Sequence, residues 1–531
     1  MTGDEKRQLH GQLWKVADEL RGRMDADDFR DYILGFVFLK YLSGKVEACA
    51  RELLETEEGA EYADLVPGSE KAGIIRKECI DRLGYFIAPD RLFGVLVQRG
   101  KDGAFILDDI KETLTGIENS ATGQDSEKEF IHLFEDMDLD NSRLGRTPGE
   151  RNRLIARVIA HLDGIDFHMG EGRGDVLGDA YEYLIGQFAS GAGKKAGEFY
   201  TPARVSTLLA KLVGHGRGKI RAAYDPACGS GSLLLRIGQE VEVGSFHGQE
   251  LNRTTYNLAR MNMLLHNIHY SRFDIRQGDT LEEPAHRGQS FDAIVANPPF
   301  SAKWKGDRNP LNANDERFAR YGRIAPASKA DYAFVQHCVH HLADNGTAAV
   351  ILPHGVLFRG AAEAAIREHI VREMNVLDAV IGLPHNLFYG TSITACVLVL
   401  KTCRERDGDI LFIDASREFE KDGNKNTLTA AHVDRILATW AARQEVERYA
   451  HAAPMVEIEE NGFNLNIPRY VDGFEEEEPV DLAAVASDLL ALDREAADID
   501  REIAGFCAEL GIAPPFKTGG AAKNGPGRRR S

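Results

Sequence analysis

The stretch Ala222-Ala223-Tyr224-Asp225-Pro226-Ala227-Cys228-Gly229-Ser230-Gly231-Ser232-Leu233 decides the fold. An apolar run ends in an acid, a turn of small residues follows, and a helical pattern begins near Leu233, as in the first strand, turn and helix of a nucleotide-binding α/β sheet. Small residues let backbone N–H groups approach a ligand closely, and a helix N-terminus favours a carboxylate or phosphate. Alone, such a Gly-x-Gly turn is weak evidence. It gains weight from Glu250, which closes the next strand, where a carboxylate can accept both hydrogen bonds of a ribose diol. Asp279 closes the third strand and is placed to accept from an adenine amino group. Three ligand-facing strand ends in series point to a nucleoside-type cofactor.

Outward from this turn, β-rich runs alternate with helical ones at Ala222–Asp225, Ser245–Glu250, Arg272–Asp279, Phe291–Ala296, Thr347–Leu352, Leu377–Leu383, Thr394–Lys401 and Ile410–Asp414. This is the pattern of an α/β domain whose mostly parallel sheet is covered by helices on both faces. The fourth run ends in Asn297-Pro298-Pro299-Phe300. An exocyclic amine on a nucleobase is a poor nucleophile because its lone pair is delocalised into the ring. Two acceptors aimed at its N–H groups draw the nitrogen toward tetrahedral geometry and free that pair. Asn297 offers a side-chain carbonyl and Pro298 a backbone carbonyl, and the two prolines fix φ and leave no local N–H to compete. No strong base is required. Phe300 can stack on a base rotated out of a duplex, and a methyl donor in line would hold its sulfonium beside Gly229 to Ser232.

The flanks read differently. From Leu9 to Leu42 apolar residues recur at three- and four-residue steps, the mark of amphipathic helices. Leu482, Val485, Leu489, Leu492, Ala496, Ile499, Ile503, Phe506 and Leu510 follow the a/d alternation of a helix that wants a partner helix. Lys517 to Ser531 is Gly- and Ala-rich with Arg528 to Arg530, the composition of a tail without a core. The expected organisation is a helical N-terminal domain (1–165), the α/β domain (166–430), a C-terminal helical region for subunit assembly (431–516) and the tail (517–531).

A chain of 531 residues, 43% hydrophobic, can bury several cores. Its net charge of −19 is a poor electrostatic footprint for a protein that grips DNA alone, so a partner is expected to supply much of that grip. The longest apolar stretch, Tyr32 to Leu42, falls short of the roughly 20 residues of a membrane span, and the polar start has no export signal; the expectation is a cytoplasmic protein. Seven cysteines without a Cys-x-x-Cys pair suggest neither a zinc knuckle nor a disulfide framework. His337, Cys338, His340 and His341 fall in a helix-like run, so no metal is expected. Ser190 to Lys195 fails as a phosphate loop because Lys195 stands where Ser or Thr is needed and Phe188 where glycine is needed.

Together with Gly197-Glu198-Phe199-Tyr200-Thr201-Pro202 upstream, the turn at Asp225 to Ser232 and the tetrapeptide at Asn297 give the chain its resemblance to a family. It resembles the methylation subunit of type I restriction-modification systems, in the gamma class of amino-methyltransferases, over nearly its whole length. Asp138 to Gly145, Leu177 to Leu184 and Asn466 to Tyr470 are family-like too. The resemblance implies a Rossmann-like domain that uses S-adenosylmethionine to methylate adenine N6 in duplex DNA. It implies that Glu198, Phe199, Tyr200, Thr201 and Pro202 line the methionine end of the cofactor. Asp225, Gly229, Ser230, Gly231 and Ser232 form the cofactor turn, Glu250 holds the ribose, and Asn297, Pro298, Pro299 and Phe300 carry the target adenine. It also implies two such subunits on one specificity subunit, with restriction subunits added. Rival readings are the same chemistry on protein glutamine or RNA, a scaffold without turnover, and a fused methylase-nuclease. The first group usually lacks Phe-Tyr-Thr-Pro, intact Asn297 and Glu250 argue against the second, and too little chain follows Lys401 for the third.

Overall fold

The expected strands assemble into one nine-stranded sheet in a computed structural model that describes residues 11–13, 16, 26–54, 61–165, 176–191, 200–389, 391–404, 408–423, 425–473 and 482–516. They are β1 Lys219–Asp225, β2 Glu242–Glu250, β3 Phe273–Gln277, β4 Phe291–Ala296, β5 Leu342–Pro353, β6 Leu377–Gly382, β7 Ala395–Lys401 and β8 Asp409–Asp414. A hairpin of β9 Glu420–Asp422 and β10 Lys425–Thr427 stands apart, and β11 Ala450–Pro454 completes the sheet. The order is β3-β2-β1-β4-β5-β7-β6-β8-β11. Only β7 and β11 run antiparallel to their neighbours. Neither the hairpin nor β11 was legible in the sequence; β11 is alanine-rich, and its Pro454 is tolerated because the strand lies at an edge.

Strand residues alternate between two cores, as a period of two requires. Ala223, Ala293, Val295, Ala349 and Ile351 face one, and Tyr224, Ile294, Ala296, Ala348 and Val350 face the other. The first core continues without a break into the N-terminal helices. The helices that bear on the site are α1 Ala26–Leu54, α2 Pro148–Asp163, α3 Val176–Gly191, α4 Ala203–Gly214, α5 Ser232–Glu240, α6 Arg253–Leu265 and α7 Asp331–His341. The apolar stretch Tyr32 to Leu42 lies in α1 and is buried almost all round, in a core and not a bilayer. Among the described residues no helix is long and apolar enough to cross a membrane. Helix α2 starts as its sequence dictates, with Pro148 at the first turn and a capping box between Thr147 and Glu150. Helix α1 packs on α3 and α6, and the Tyr41 hydroxyl donates to the Leu264 carbonyl at 2.6 Å.

The chain divides into two compact units, Met1–Gly473 and Phe474–Ser531. In the second, the heptad run forms one helix, α8 Leu482–Glu509, and Leu489, Leu492, Ile499 and Phe506 are exposed.

Candidate active site

The chain passes from β1 to β2 and β3 on one side, then returns to β4 on the other side of β1, so a crevice opens at the carboxyl ends of β1 and β4. The two loops singled out in the sequence, Asp225 to Ser232 and Asn297 to Phe300, leave these two strand ends.

The β1 loop needs its glycines. Gly229 and Gly231 have φ of +54° and +80°, and a Cβ on Gly231 would also lie 3.2 Å from the Met263 methyl. Neighbouring elements brace the loop backbone. The Cys228 N–H donates to the Gln249 carbonyl at 3.0 Å, the Gly229 N–H to Glu250 Oε2 at 3.0 Å, and buried Asn262 of α6 donates to the Ser230 carbonyl at 2.9 Å. The Ser230 and Ser232 hydroxyls are 3.0 Å apart. Glu250 therefore does more than face a ligand: Oε1 accepts from the Asn252 N–H at 2.8 Å while Oε2 braces Gly229.

Asp279 Oδ1 accepts from the N–H groups of Leu281 and Glu282 at 2.9 and 3.3 Å. Ala227, Glu250, Asp279, Pro299 and Phe334 line one cleft of about 700 Å³. Asp225 lies beneath it, fully buried: Oδ1 accepts from the Ala227 N–H at 2.9 Å and Oδ2 has no partner. Burial pushes its carboxyl up to about 8, with the Ala227 N–H opposing and the Glu250 charge reinforcing the rise.

The β4 loop meets the upstream element directly. Asn297 Nδ2 donates to Thr201 Oγ1 at 3.0 Å, and Asn297, Tyr200, Thr201 and Cys228 to Ser230 line a second, smaller pocket. With Nδ2 committed to Thr201, Oδ1 is left as the acceptor. Phe300 meets Phe388 edge to face at 5.7 Å. Tyr200 lies against α3 at Gly186, where an added Cβ would come 3.1 Å from its ring. Glu198 and Phe199 lie outside the described residues, as do most of the Ser190 to Lys195 loop and the tail 517–531.

Two residues that sequence reasoning missed hold these loops. Asn262 is one. The other is Asp331, 1% exposed, which opens α7 and accepts from the Ser301 N–H at 2.8 Å and from Arg359 Nη1 at 2.8 Å. Ser301 follows Phe300 with φ +54°, so the catalytic-type loop turns sharply onto a buried carboxylate. Its one trace in the sequence is an acid heading an apolar run. His337 spends both ring nitrogens inside the core, on the Tyr224 hydroxyl at 2.9 Å and Arg317 Nη1 at 3.1 Å.

Known proteins share this architecture. The chain matches the family described as N-6 DNA Methylase over residues 172–479 and the HsdM N-terminal domain over residues 9–162. It is 35% identical over 502 residues, 90% of this chain and 92% of the relative, to the type I restriction enzyme MpnII methylase subunit of Mycoplasma pneumoniae. It is 31% identical over 416 residues, 74% of this chain and 87% of the relative, to the type I restriction enzyme HindI methylase subunit of Haemophilus influenzae. The crystal structure of the type I restriction-modification system methyltransferase subunit from Streptococcus thermophilus is similar with a TM-score of 0.81 and 42% identity, covering 88% of this chain and 100% of that one.

Proposed function

This chain belongs to the N-6 DNA Methylase family, among the methylase subunits of type I restriction enzymes, and we propose that it transfers a methyl group from S-adenosylmethionine to adenine N6 in duplex DNA. The observation that carries this reading is the 3.0 Å bond from Asn297 Nδ2 to Thr201, which leaves the amide oxygen as the free acceptor beside the β1 loop.

The residues fit the cofactor. Glu250 at the end of β2, Asp279 just past β3, and Pro226 and Ala227 of the β1 loop border a cleft large enough for a nucleoside. Glu250 would hold the ribose and Asp279 the adenine amino group. Tyr200, Thr201 and Pro202, with Glu198 and Phe199, would line the methionine end beside Gly229 to Ser232. When bound, S-adenosylmethionine supplies an electrophilic methyl group on sulfur.

The chain's own residues prepare the nucleophile. Asn297 Oδ1 and the Pro298 carbonyl accept the two N–H bonds of the target amine, and Pro299 keeps the loop free of a competing N–H. Phe300, steadied by Phe388, stacks on the adenine after it leaves the helix, and the amine proton passes to solvent once nitrogen has been alkylated.

Site choice falls to a separate specificity subunit, with two copies of this chain on it and restriction subunits added, and the complex works in the cytoplasm. Support comes from the −19 charge and the exposed heptad face of α8. Residues 1–165, 166–430 and 431–516 serve as helical domain, methyltransferase domain and assembly region, with β11 joining the second.

Labelled methyl donor offered to duplex DNA, RNA and protein, with the specificity subunit present, tests this reading. Label is expected at adenine N6 of DNA; label confined to protein or RNA overturns it.

A further inference from the structure

Beneath the cofactor strands, on the sheet face opposite the N-terminal helices, lies a cluster no step above uses. His247 of β2 and Asp274 of β3 are register partners, and the loop that runs from Asp279 to β4 lays His286 over them. One ligand atom from each residue lies within 4.8 Å of the others. The His286 side chain is wholly buried, and neither of its ring nitrogens makes a hydrogen bond; Nδ1 of His247 is also buried without one. Buried polar atoms are almost always paired, and a neutral imidazole carries one N–H and one lone pair, so each ring can turn one lone pair toward a cation beside the Asp274 carboxylate.

The surroundings suit a cation. His247 Nε2 lies 3.0 Å from Ser245 Oγ, the outer bond that fixes a ligating imidazole and leaves Nδ1 bare. The His247 and His286 rings are 5.5 Å apart between centroids and perpendicular. Two imidazoles on one tetrahedral ion, each at roughly 2.0–2.1 Å, reach about that separation. Asp274 Oδ1 is held by Arg276 Nε at 2.5 Å, while Oδ2 lies 3.5 Å from His286 Nε2 and 3.3 Å from Arg276 Nη2. Arg276 holds both oxygens, Oδ1 closely and Oδ2 at 3.3 Å, so an ion would take the more weakly held Oδ2.

We propose that His247, Asp274 and His286 bind one divalent transition-metal ion of the zinc type. Two imidazoles and a carboxylate, with a water in the fourth position, are a tetrahedral ligand set that zinc accepts. The ion pins the 280–290 loop, which Gln249 already clamps through the Glu283 carbonyl and the Ala285 N–H at 2.9 and 3.0 Å. That loop joins Asp279, on the cofactor side, to the strand that carries Asn297. The role is structural, and the ion takes no part in methyl transfer. The ligands stand too far apart in sequence, at 247, 274 and 286, to form a recognisable motif.

Untagged full-length chain, grown with zinc and then dialysed, is assayed for metal by mass spectrometry. After chelation it is titrated with cobalt(II), followed by visible absorption. One equivalent per chain, tetrahedral cobalt bands and a melting temperature lowered by chelation are expected. His286→Gln and Asp274→Asn should abolish stoichiometric binding, and Ser245→Ala should weaken it about 10- to 100-fold. Wild-type chain that takes up neither metal overturns the proposal. So do cobalt bands that persist in His286→Gln, or, should that variant fail to fold, an affinity unchanged in Ser245→Ala.

Discussion

The loop after β1 and the loop after β4 border one crevice, yet they are held by different means. In the first, the fastened groups are backbone atoms: the N–H groups of Cys228 and Gly229 and the carbonyl of Ser230 bond to Gln249, Glu250 and Asn262. In the second, prolines and the Ser301 N–H bond to Asp331 fix the path, but the acceptor that matters is a side chain, Asn297, aimed by its one bond to Thr201. A loop held by its backbone keeps its shape when its own side chains change, whereas one aimed by side chains does not. The first arrangement suits binding a cofactor whose shape is constant. In the reaction proposed above, the second suits presenting two acceptors to the target amine.

That division predicts that substitutions separate binding from turnover. The largest effect belongs to Asn297→Ala: single-turnover methylation should fall by at least ~10³-fold while cofactor affinity stays within about threefold by calorimetry. An equal loss of both would break the comparison. Glu250→Ala removes the brace on Gly229 as well as the diol acceptor, so cofactor Kd should rise by about 10- to 100-fold with the rate at saturation nearly kept. Thr201→Val frees the Asn297 amide to turn; kcat should drop by about tenfold with DNA KM unchanged, and Thr201→Ser should restore it. No recovery in the serine variant would mean that the methyl, not the hydroxyl, is what Asn297 needs.

The smallest effect is a pH dependence. Asp225 sits near pKa 8 when folded and about 3.9 when unfolded, so between those values the unfolded chain releases a proton that the folded one keeps. Its contribution to stability is present below pH 4, declines toward pH 8 and is level above. Melting temperatures of the cofactor-free chain from pH 6 to 8 should therefore fall less in Asp225→Asn than in wild type. Parallel curves would remove Asp225 as the cause.

Much of the site was legible because it is written in short runs. Each strand end that faces the crevice announces itself by a short β-rich run that Asp225, Glu250, Asp279 or Asn297 ends or follows, since a local pattern sets both strand and turn. What escaped is set by contacts between distant segments. Asp331 reads as an ordinary helix-opening acid until the fold brings Ser301 and Arg359 to it. Asn262 looks like a polar residue on an amphipathic helix until α6 lies under the β1 loop. Glu250 is the mixed case: its position at a strand end was readable, whereas its bond to Gly229 depends on how β1 and β2 pair. β11 was missed for a different reason, since a run of alanines carries little strand signal and takes its conformation from β8.

The unbroken core between the N-terminal helices and the sheet also bears on how the chain is made. Translation delivers α1 and α2 first, and at ~5–20 residues per second the strands that back their core follow on the order of ten seconds later. Until α3 and α6 settle on a formed sheet, Phe36, Val37 and Ile155 belong to a core whose other half has not yet been synthesised. In that interval the apolar faces of these helices carry the aggregation risk of any transiently exposed hydrophobic surface.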